Sequence, residues 1–223
     1  MSAHSHSSNS PRRVVVTGLG AVTPLGLGVK ATWESALAGR SGVGPISLFD
    51  TTDCPVRFAA EVKGFDVSAP LPAPLHPAPG QEVTQAASSK DARRFGRFNH
   101  LGLAAGLDAY ADSGLDAVRS QINPERIGVN IGVGMGGLPE IEAVHDDYLA
   151  KGYRRISPFF IPQVIPNMVS GQLSILLNLQ GPNLCNVTAC SSSAHSIGES
   201  FRQIRRGDAD VMIAGGAEAV ICR

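Results

Sequence analysis

The sequence predicts an α/β fold built on a mostly parallel sheet with helices on both of its faces. Two observations lead to this prediction: short β-branched runs alternate along the chain with segments of helical periodicity, and two of these runs end in glycine-rich turns. The composition agrees, because 43% of the 223 residues are hydrophobic and only 17% are charged. That is enough apolar material for a sizeable core and too much for a disordered chain.

The first part of the chain is predicted to contain a tail, a strand and a helix. Residues 1–11 are rich in Ser, His and Asn, and we expect them to form a disordered tail. The β-branched run Arg12–Thr17 is expected to form a buried strand that ends at a glycine turn. Val29–Ala38 is predicted to be a helix, because Trp33 and Leu37 stand four residues apart on one face of it.

Residues 69–89 differ in composition from the rest of the chain. They are rich in proline, followed by Gln, Thr, Ala and Ser, which predicts a surface loop inside a single domain over 12–223. On either side of the loop, apolar residues recur at strand or helix spacing. The expected strands are Val56–Val62, Ile127–Val133, Asn183–Thr188 and Ala209–Ala214, and the expected helices are Lys90–Leu115, Leu138–Lys151, Met168–Leu179 and Ser191–Arg206.

The charge balance and the cysteines exclude several classes of protein. Basic and acidic residues number 19 each, which argues against a general nucleic-acid binder, since that needs a basic surplus. No apolar run reaches the roughly 18 residues of a membrane span. Residues 1–11 lack the apolar core of a secretory signal, so we expect a cytoplasmic protein. The four cysteines form no C-x-x-C pair, so a functional cysteine must act as a thiol.

Cys190 is the cysteine whose surroundings indicate chemistry. A predicted strand ends there, the small residues 191–194 allow a sharp turn, and a helix follows with Ile197, Phe201 and Ile204 as its apolar stripe. Unpaired N–H groups and the helix macrodipole favour an anion at a helix N-terminus. A thiolate there is a nucleophile suited to acyl transfer. A buried structural cysteine fits the same residues, and both interpretations stay open at this point.

Residues 186–198, around Cys190, resemble the nucleophile turn of the β-ketoacyl-acyl-carrier-protein synthases, condensing enzymes of the thiolase-like superfamily. The resemblance covers about residues 12–221 and is closest to the type II elongating synthases. Residues 69–89 resemble an insertion relative to that family. Further matching segments, in the order of the family, are residues 13–20, 23–26, 157–162, 167–168 and 207–218.

The resemblance implies a fold and a set of site residues. The fold would be one half of the duplicated thiolase-like fold, in a chain that we expect to be truncated. Cys190 would accept the growing acyl chain as a thioester, and its backbone N–H would donate to the oxyanion. Met135 would line the acyl pocket, and Phe160 would reach across a homodimer interface toward the pocket of the partner. The resemblance implies no cofactor and no metal ion.

The implied reaction is the decarboxylative Claisen condensation of a Cys-bound acyl chain with malonyl-acyl carrier protein in fatty-acid elongation. In this family the second step needs two histidines and a lysine from the second half, so we expect this chain to be inactive alone. His195 lies about 140° round the helix from Cys190 and is expected to be structural. The histidines, none of them in a matching motif, are His4, His6, His76, His100, His145 and His195.

A basic face is expected to bind the acidic acyl carrier protein, because clustered charge steers a partner of opposite charge. The resemblance assigns these positions to the carrier-docking face of the family, although an ordinary solvated helix face has the same composition. The basic residues are Lys90, Arg93, Arg94, Arg97, Arg154 and Arg155.

Two other functions remain as alternatives. A catalytically dead fragment would keep Cys190 and the basic face as a module that binds the carrier protein. A nucleotide-binding oxidoreductase is indicated by Gly18 and Gly20, but Thr23 stands where the dinucleotide fingerprint has its third glycine. The acidic residues within 140–147 scatter round their helix, which favours a solvated face over a metal site.

Overall fold

The computed structural model describes residues 12–66 and 94–223. The expectations for the tail at 1–11, the loop at 69–89, Lys90 and Arg93 lie outside the described residues. The described strands are β1 (Val22–Thr23), β2 (Gly26–Leu27), β3 (Gly44–Pro45), β4 (Phe58–Ala59), β5 (Ile127–Gly132), β6 (Asn183–Leu184) and β7 (Val211–Gly216). The described α-helices are α1 (Val29–Leu37), α2 (Arg97–Asp112), α3 (Leu138–Lys151), α4 (Phe160–Val164), α5 (Met168–Leu177) and α6 (Ser192–Arg206).

The centre of the fold is a parallel sheet of three strands in the order β6-β5-β7. Strand β5 lies in the middle, and all six of its residues are buried. It pairs with β7 along its whole length, from Ile127 opposite Val211 to Gly132 opposite Gly216. The parallel sheet predicted from the sequence is therefore confirmed, and the carboxyl ends of β5 and β7 meet at one edge.

Helices cover both faces of β5, and the two faces differ in character. Val129 and Ile131 belong to the apolar core, which they share with buried residues of α2 and α5 such as Phe98 and Leu173. The alternate residues of the strand face α6, since successive side chains of a strand point to opposite sides. On that side Asn130 donates a hydrogen bond to a carbonyl of α6, so the second face is small and polar rather than apolar.

The face of α6 that packs on the sheet is not the one that the sequence predicts. The buried residues at successive turns are Ser192, Ser196 and Ser200, whereas Ile197 of the expected apolar stripe is 53% exposed and Phe201 is exposed as well. An apolar stripe usually faces the core of a protein, and in this helix it does not. Because the facing side of β5 presents glycine and asparagine, the helix approaches closely only through its small side chains.

The predicted N-terminal strand Arg12–Thr17 is not formed. Val16 is 80% exposed and Val15 is exposed too, and the first pairing occurs only at β1 with β2, which form an antiparallel pair. A β-branched run needs a neighbouring strand to complete its hydrogen bonds, and no strand among residues 12–66 and 94–223 pairs with this one. Its strand propensity alone does not produce a strand.

Several other predicted elements are present with shorter bounds. The strand expected over Val56–Val62 is reduced to β4, which pairs with β3. The strand expected over Asn183–Thr188 is reduced to β6, because the chain turns toward α6 after Leu184. The helix expected to reach Leu179 ends at Leu177, where Asn178 adopts a left-handed conformation with φ of 49°.

Helix α1 is confirmed, but its apolar face is not buried. It ends one residue before its predicted limit, at Leu37, and Gly39 follows in the left-handed region with φ of 63°. Trp33 is 63% exposed and Leu37 is exposed as well, although they stand on one face as predicted. The helical periodicity therefore predicts the helix correctly, but it does not predict what packs against its apolar face.

An ion-pair cluster joins the start of the described chain to the sheet and predicts a pH-dependent stability. Arg126 donates to both carboxylate oxygens of Asp210, at 3.0 and 2.8 Å, and Arg12 donates to one of them at 2.8 Å. The hydrogen bonds from Arg126, together with the single one from Arg12, lower the pKa of Asp210 to about 2. Because this pKa is lower in the folded chain, the stabilisation is complete above about pH 4 and is lost as the pH falls toward 2.

We expect Asp210→Asn to lower the free energy of unfolding at pH 7 by about 0.5–1 kcal/mol, since the cluster is partly exposed. The difference from the unsubstituted chain should shrink between pH 4 and pH 2. Urea unfolding at pH 7, 4 and 2.5 measures this. A constant difference across that range would contradict the assignment.

Candidate active site at the Cys190 turn

Cys190 lies on a tight turn directly before a helix, as the sequence predicts. Residues 189–191 form one turn of 3-10 helix, and α6 begins at the next residue, Ser192. Ala189 adopts a left-handed conformation with φ of 52°, which is unusual for a residue other than glycine. Cys190 is exposed, so its thiol is open to a substrate and is not walled off in the core. We call residues 188–192 the Cys190 turn.

Hydrogen bonds hold the Cys190 turn in its strained conformation. The hydroxyl of Ser192 accepts a hydrogen bond from the Thr188 N–H at 2.9 Å and donates one to the carbonyl of Ala189 at 2.7 Å. The hydroxyl of Ser191 donates to the carbonyl of Thr188 at 2.7 Å. A left-handed residue costs about 1–3 kcal/mol and persists where its surroundings fix it, a pattern found at functional sites.

Two glycines of the sheet allow the first turn of α6 to lie directly on the strands. A Cβ atom at Gly132 of β5 would stand 2.3 Å from the carbonyl oxygen of Ser192. A Cβ atom at Gly216 of β7 would stand 2.6 Å from the Cβ of Ser193. Since neither distance is sterically possible, these glycines set the height of the helix N-terminus, and with it the position of Cys190, above the sheet edge.

Polar side chains from the sheet side fix the same helix. Asn130 Nδ2 donates to the carbonyl of Ser196 at 3.3 Å, and Asn186 Nδ2 donates to the Ser196 hydroxyl at 3.2 Å. Thr188 Oγ1 and His195 Nδ1 lie 2.7 Å apart and share a hydrogen bond. His195 therefore joins the Cys190 turn to the second turn of α6, which agrees with the structural role expected for it.

The turn that carries Met135 lies beside the Cys190 turn. Residues 134–136, called the Met135 turn below, follow β5, and a Cβ atom at Gly134 would lie 3.2 Å from the carbonyl oxygen of Ala189. Met135 itself is 58% exposed. The structure thus brings together, at the shared carboxyl edge of the sheet, two segments that the resemblance to the family assigns to one site.

Sequence reasoning missed the group that binds the Met135 turn. Glu218, two residues after β7, accepts hydrogen bonds from the N–H groups of Gly134 and Met135 at 2.8 Å each and from that of Gly136 at 3.2 Å. The sequence contains a signal for this contact: a glycine-rich turn follows strand β5, and an acidic residue follows the neighbouring parallel strand β7. That signal needs the strand register, which the sequence does not supply.

Phe160 is half-buried and begins the short helix α4. The opposite end of that helix contacts the Met135 turn region: the N–H of Gly137 donates to the carbonyl of Val164 at 3.1 Å. Helix α4 also packs against α3. Phe160 therefore belongs to the element that supports the Met135 turn, one helix length away from it.

The described basic residues divide into two groups. The guanidinium group of Arg94 lies 4.9 Å from the centroid of the Phe159 ring, next to the start of α4, and Arg154 lies 6.0 Å from that of Tyr153. Arg94, Arg154 and Arg155 are all exposed. Arg97 instead donates a hydrogen bond to the carbonyl of Val62 at 2.8 Å, so it belongs to the fold rather than to an open basic surface.

The glycines that resemble a dinucleotide fingerprint have a packing role. A Cβ atom at Gly18 would lie 2.3 Å from the carbonyl oxygen of Ala109, and one at Gly20 would lie 1.9 Å from that of Ala105. Both glycines therefore let the chain pass directly over helix α2. A phosphate has no room where these glycines touch the helix, and the first helix after them begins only at Val29.

Residues 12–66 and 94–223 contain neither a candidate metal site nor a candidate membrane span. No group of three or more His, Cys, Asp or Glu residues is placed so that it could hold a metal ion. In that part of the chain, no helix has the length and apolar character needed to cross a membrane.

The parallel sheet, its two helical layers and the cysteine at a strand–helix turn define one half of the thiolase-like ketosynthase fold. The ishigamide ketosynthase/chain length factor aligns with 96% of this chain and 49% of its own, at a TM-score of 0.77 and 27% identity. A β-ketoacyl synthase from Burkholderia phymatum STM815 aligns with 87% of this chain and 44% of its own, at a TM-score of 0.66 and 27% identity.

The chain belongs to the β-ketoacyl synthase family, whose N-terminal domain matches residues 11–223. It is 47% identical over 209 residues to 3-oxoacyl-[acyl-carrier-protein] synthase 2 of Vibrio cholerae, covering 94% of this chain and 46% of that protein. It is 42% identical over 210 residues to the synthase of the same name from Staphylococcus aureus strain COL, with the same two coverages. The chain thus spans about half the length of the curated relatives it matches, and the resemblance found in the sequence is confirmed.

Proposed function

We propose that this chain supplies the nucleophile of an acyltransferase that elongates acyl chains in fatty-acid synthesis. The observation that carries the proposal is the exposed Cys190 on a strained turn at the N-terminus of α6. The N–H groups of the first turn of α6 have no partner within the helix, and helix N-termini favour anionic groups in general. The two similar synthases support the choice of substrate class.

The first step is transfer of the acyl group to Cys190. The thiolate attacks the carbonyl carbon of an acyl thioester carried by acyl carrier protein, and a tetrahedral oxyanion forms. We assign the backbone N–H of Cys190 as a donor to that oxyanion, as the resemblance to the family implies. When the oxyanion collapses, the bond to the sulfur of the carrier breaks, the carrier leaves as a thiolate that takes up a proton from solvent, and the acyl group remains on Cys190.

The second step is condensation with malonyl-acyl carrier protein. Malonyl loses CO₂, its C2 carbon attacks the acyl carbonyl, and Cys190 leaves as a thiolate, which regenerates the nucleophile. The nitrogen Nδ1 of His195 is engaged with Thr188. We therefore assign the acid–base groups of this step to the part of the relatives that this chain does not match, and we expect the chain alone to stop after the first step.

We assign two binding residues from the resemblance to the family. Met135, exposed beside the Cys190 turn, would line the pocket for the acyl chain. Phe160 would contribute to the pocket of a second copy in a homodimer of the complete enzyme.

The four cysteines are free thiols, which fits the reducing cytoplasm that we propose as the location of the protein.

The function is tested by incubating the chain with a hexadecanoyl thioester of acyl carrier protein and measuring the intact mass. We expect one acyl group to be added per chain. The same experiment distinguishes the acyltransferase from the alternative function, a module that binds the carrier protein but does not react with its acyl group. That module would bind the carrier and keep its original mass.

The exposed arginines Arg94, Arg154 and Arg155, together with Lys90 and Arg93, are the proposed docking surface for the carrier. The cation–π contact of Arg94 places a positive charge at the start of α4, the helix that supports the Met135 turn. One similar fold, at 22% identity and a TM-score of 0.64, is a ketosynthase in complex with a type II polyketide acyl carrier protein. Carrier proteins are acidic, so the charges are complementary.

Reversing the charge of these arginines should weaken carrier binding. We expect the double variant Arg94→Glu with Arg154→Glu to bind an acyl carrier protein about tenfold more weakly at low ionic strength, and the difference should shrink as salt is added. Isothermal titration calorimetry at two salt concentrations measures this. Arg40→Glu, an exposed arginine in the loop after α1, is the matched control. Equal affinities for the double variant and the control would remove the docking assignment.

A further inference from the structure

Glu218 makes an unusual set of contacts for an exposed side chain. Its carboxylate accepts hydrogen bonds from three consecutive backbone N–H groups, those of Gly134 and Met135 at 2.8 Å and that of Gly136 at 3.2 Å. Three successive amides that point at one anion form a concave anion-binding site in the backbone. Hydrogen bonds to an ionised acceptor are roughly twice as strong as those between neutral groups. The carboxylate is therefore the main anchor of the Met135 turn on its outer side.

The register of the sheet brings Glu218 to this turn. Gly132 of β5 lies opposite Gly216 of β7, and the pairing continues for one more step because the N–H of Ala217 donates to the carbonyl of Gly132 at 3.0 Å. Gly134 and Glu218 each follow their strand by two residues. They meet at the carboxyl edge of the sheet, where Cys190 also lies.

The Met135 turn needs an external anchor. Gly136 adopts a left-handed conformation with φ of 75°, and neither flanking glycine has a side chain that could brace the turn. Its inner side lies against the Cys190 turn, because a Cβ atom at Gly134 would stand 3.2 Å from the carbonyl oxygen of Ala189. Glu218 on one side and Ala189 on the other thus hold the backbone of Met135 in a single place beside the nucleophile.

We propose that Glu218 is a positioning residue that determines which acyl-chain lengths Cys190 accepts. It acts through Met135, the one side chain of this turn, because it holds the turn beside the Cys190 turn. The inference rests on the proposed function, because it assumes that Cys190 takes up acyl groups. In the neutral variant Glu218→Gln, the amide keeps one acceptor oxygen, but its NH₂ group takes the place of the second and faces a backbone N–H donor. The negative charge is lost as well, so the anchor of the turn is weakened and Met135 is held less firmly.

The test compares acylation of Cys190 by butanoyl and hexadecanoyl thioesters of acyl carrier protein. We measure the two initial rates by mass spectrometry for the unsubstituted chain, Glu218→Gln, Met135→Ala and the double variant. Glu125→Gln, another exposed glutamate, is the matched control. We expect Glu218→Gln to move the ratio of the two rates at least threefold toward one. The double variant should have the ratio of Met135→Ala, because Glu218 has nothing left to position.

A second readout separates this role from damage to the Cys190 turn. Iodoacetamide is too small to depend on an acyl pocket, so its rate of alkylation of Cys190 should change less than twofold in Glu218→Gln. A large fall in that rate would show that Glu218 supports the nucleophile turn generally, which overturns the proposal. An unchanged ratio of acylation rates, or a ratio already equal to one in the unsubstituted chain, overturns it as well. If the unsubstituted chain accepts neither acyl group, the proposed function itself fails and this inference falls with it.

Discussion

Replacing Gly132 with alanine is expected to destabilise the chain by about 2–3 kcal/mol and to remove most of the reactivity of Cys190. The new methyl group would lie 2.3 Å from the carbonyl oxygen of Ser192 and 2.4 Å from its carbonyl carbon. These are backbone atoms of the helix N-terminus, so no side-chain rotation relieves the overlap. The first turn of α6 must lift away from β5, and overpacking of this kind costs about 1–3 kcal/mol. The lift also displaces the turn that carries the thiol.

Gly198→Ala, in the same helix, is the matched control for Gly132→Ala. A Cβ atom at Gly198 meets nothing within 4 Å, so this substitution should stabilise the chain by about 0.5–1 kcal/mol through helix propensity alone. Urea unfolding and the rate of Cys190 alkylation by iodoacetamide are measured for both variants. If Gly132→Ala is as stable and as reactive as Gly198→Ala, the close contact between β5 and α6 does not position Cys190.

Replacing Cys190 with alanine is expected to abolish acyl transfer, with a fall of about a hundredfold or more in the rate of adduct formation, because alanine has no nucleophile. Two of the three remaining cysteines are poor substitutes. Burial raises the pKa of the Cys185 thiol. Burial, together with the nearby charges of Glu142 and Glu140, raises the pKa of Cys222 to about 11. Both shifts favour the protonated thiol, which is the less reactive form of cysteine.

The rate is measured by intact mass after incubation with an acyl thioester of the carrier protein. Cys222→Ala is the control, since it removes a thiol of high pKa and should keep the full adduct. Retention of the adduct in Cys190→Ala would mean that another group takes up the acyl chain, and the assignment of the nucleophile would be wrong.

The helices with clear end signals could be predicted closely from the sequence. Helix α3 has the predicted bounds, Leu138–Lys151, because glycines at 137 and 152 delimit a continuous helical pattern with proline in its first turn. Strand β5 is buried on both faces, which is typical of a central parallel strand. In these segments local propensity and tertiary packing favour the same structure.

The segments that the sequence mispredicts depend on their neighbours. Arg12–Thr17 has the composition of a buried strand, yet it finds no pairing partner among the described residues and stays exposed. Helix α6 turns a row of serines to the sheet instead of its apolar stripe, because β5 presents Asn130 and Gly132 on that side. Which face of a helix is buried depends on the surface it meets, and that surface is not encoded in the helix itself.

The candidate site was predictable in its centre and not in its surroundings. Cys190 could be identified because a strand, a run of small residues and a helix follow one another along the chain. The carboxylate of Glu218 lies more than 80 residues from the turn it binds. Only the register of β5 with β7 brings the two together. Long-range contacts of this kind follow from strand order, which the local sequence pattern does not determine.

Locating the acyl group on the chain tests the central claim most directly. After reaction with a hexadecanoyl thioester of acyl carrier protein, trypsin would release residues 156–202 as one peptide, which contains both Cys185 and Cys190. Fragmentation between these two residues should place the whole added mass on Cys190. An adduct on Cys185, Cys54 or Cys222, or no adduct under conditions in which the chain is folded, would contradict the account.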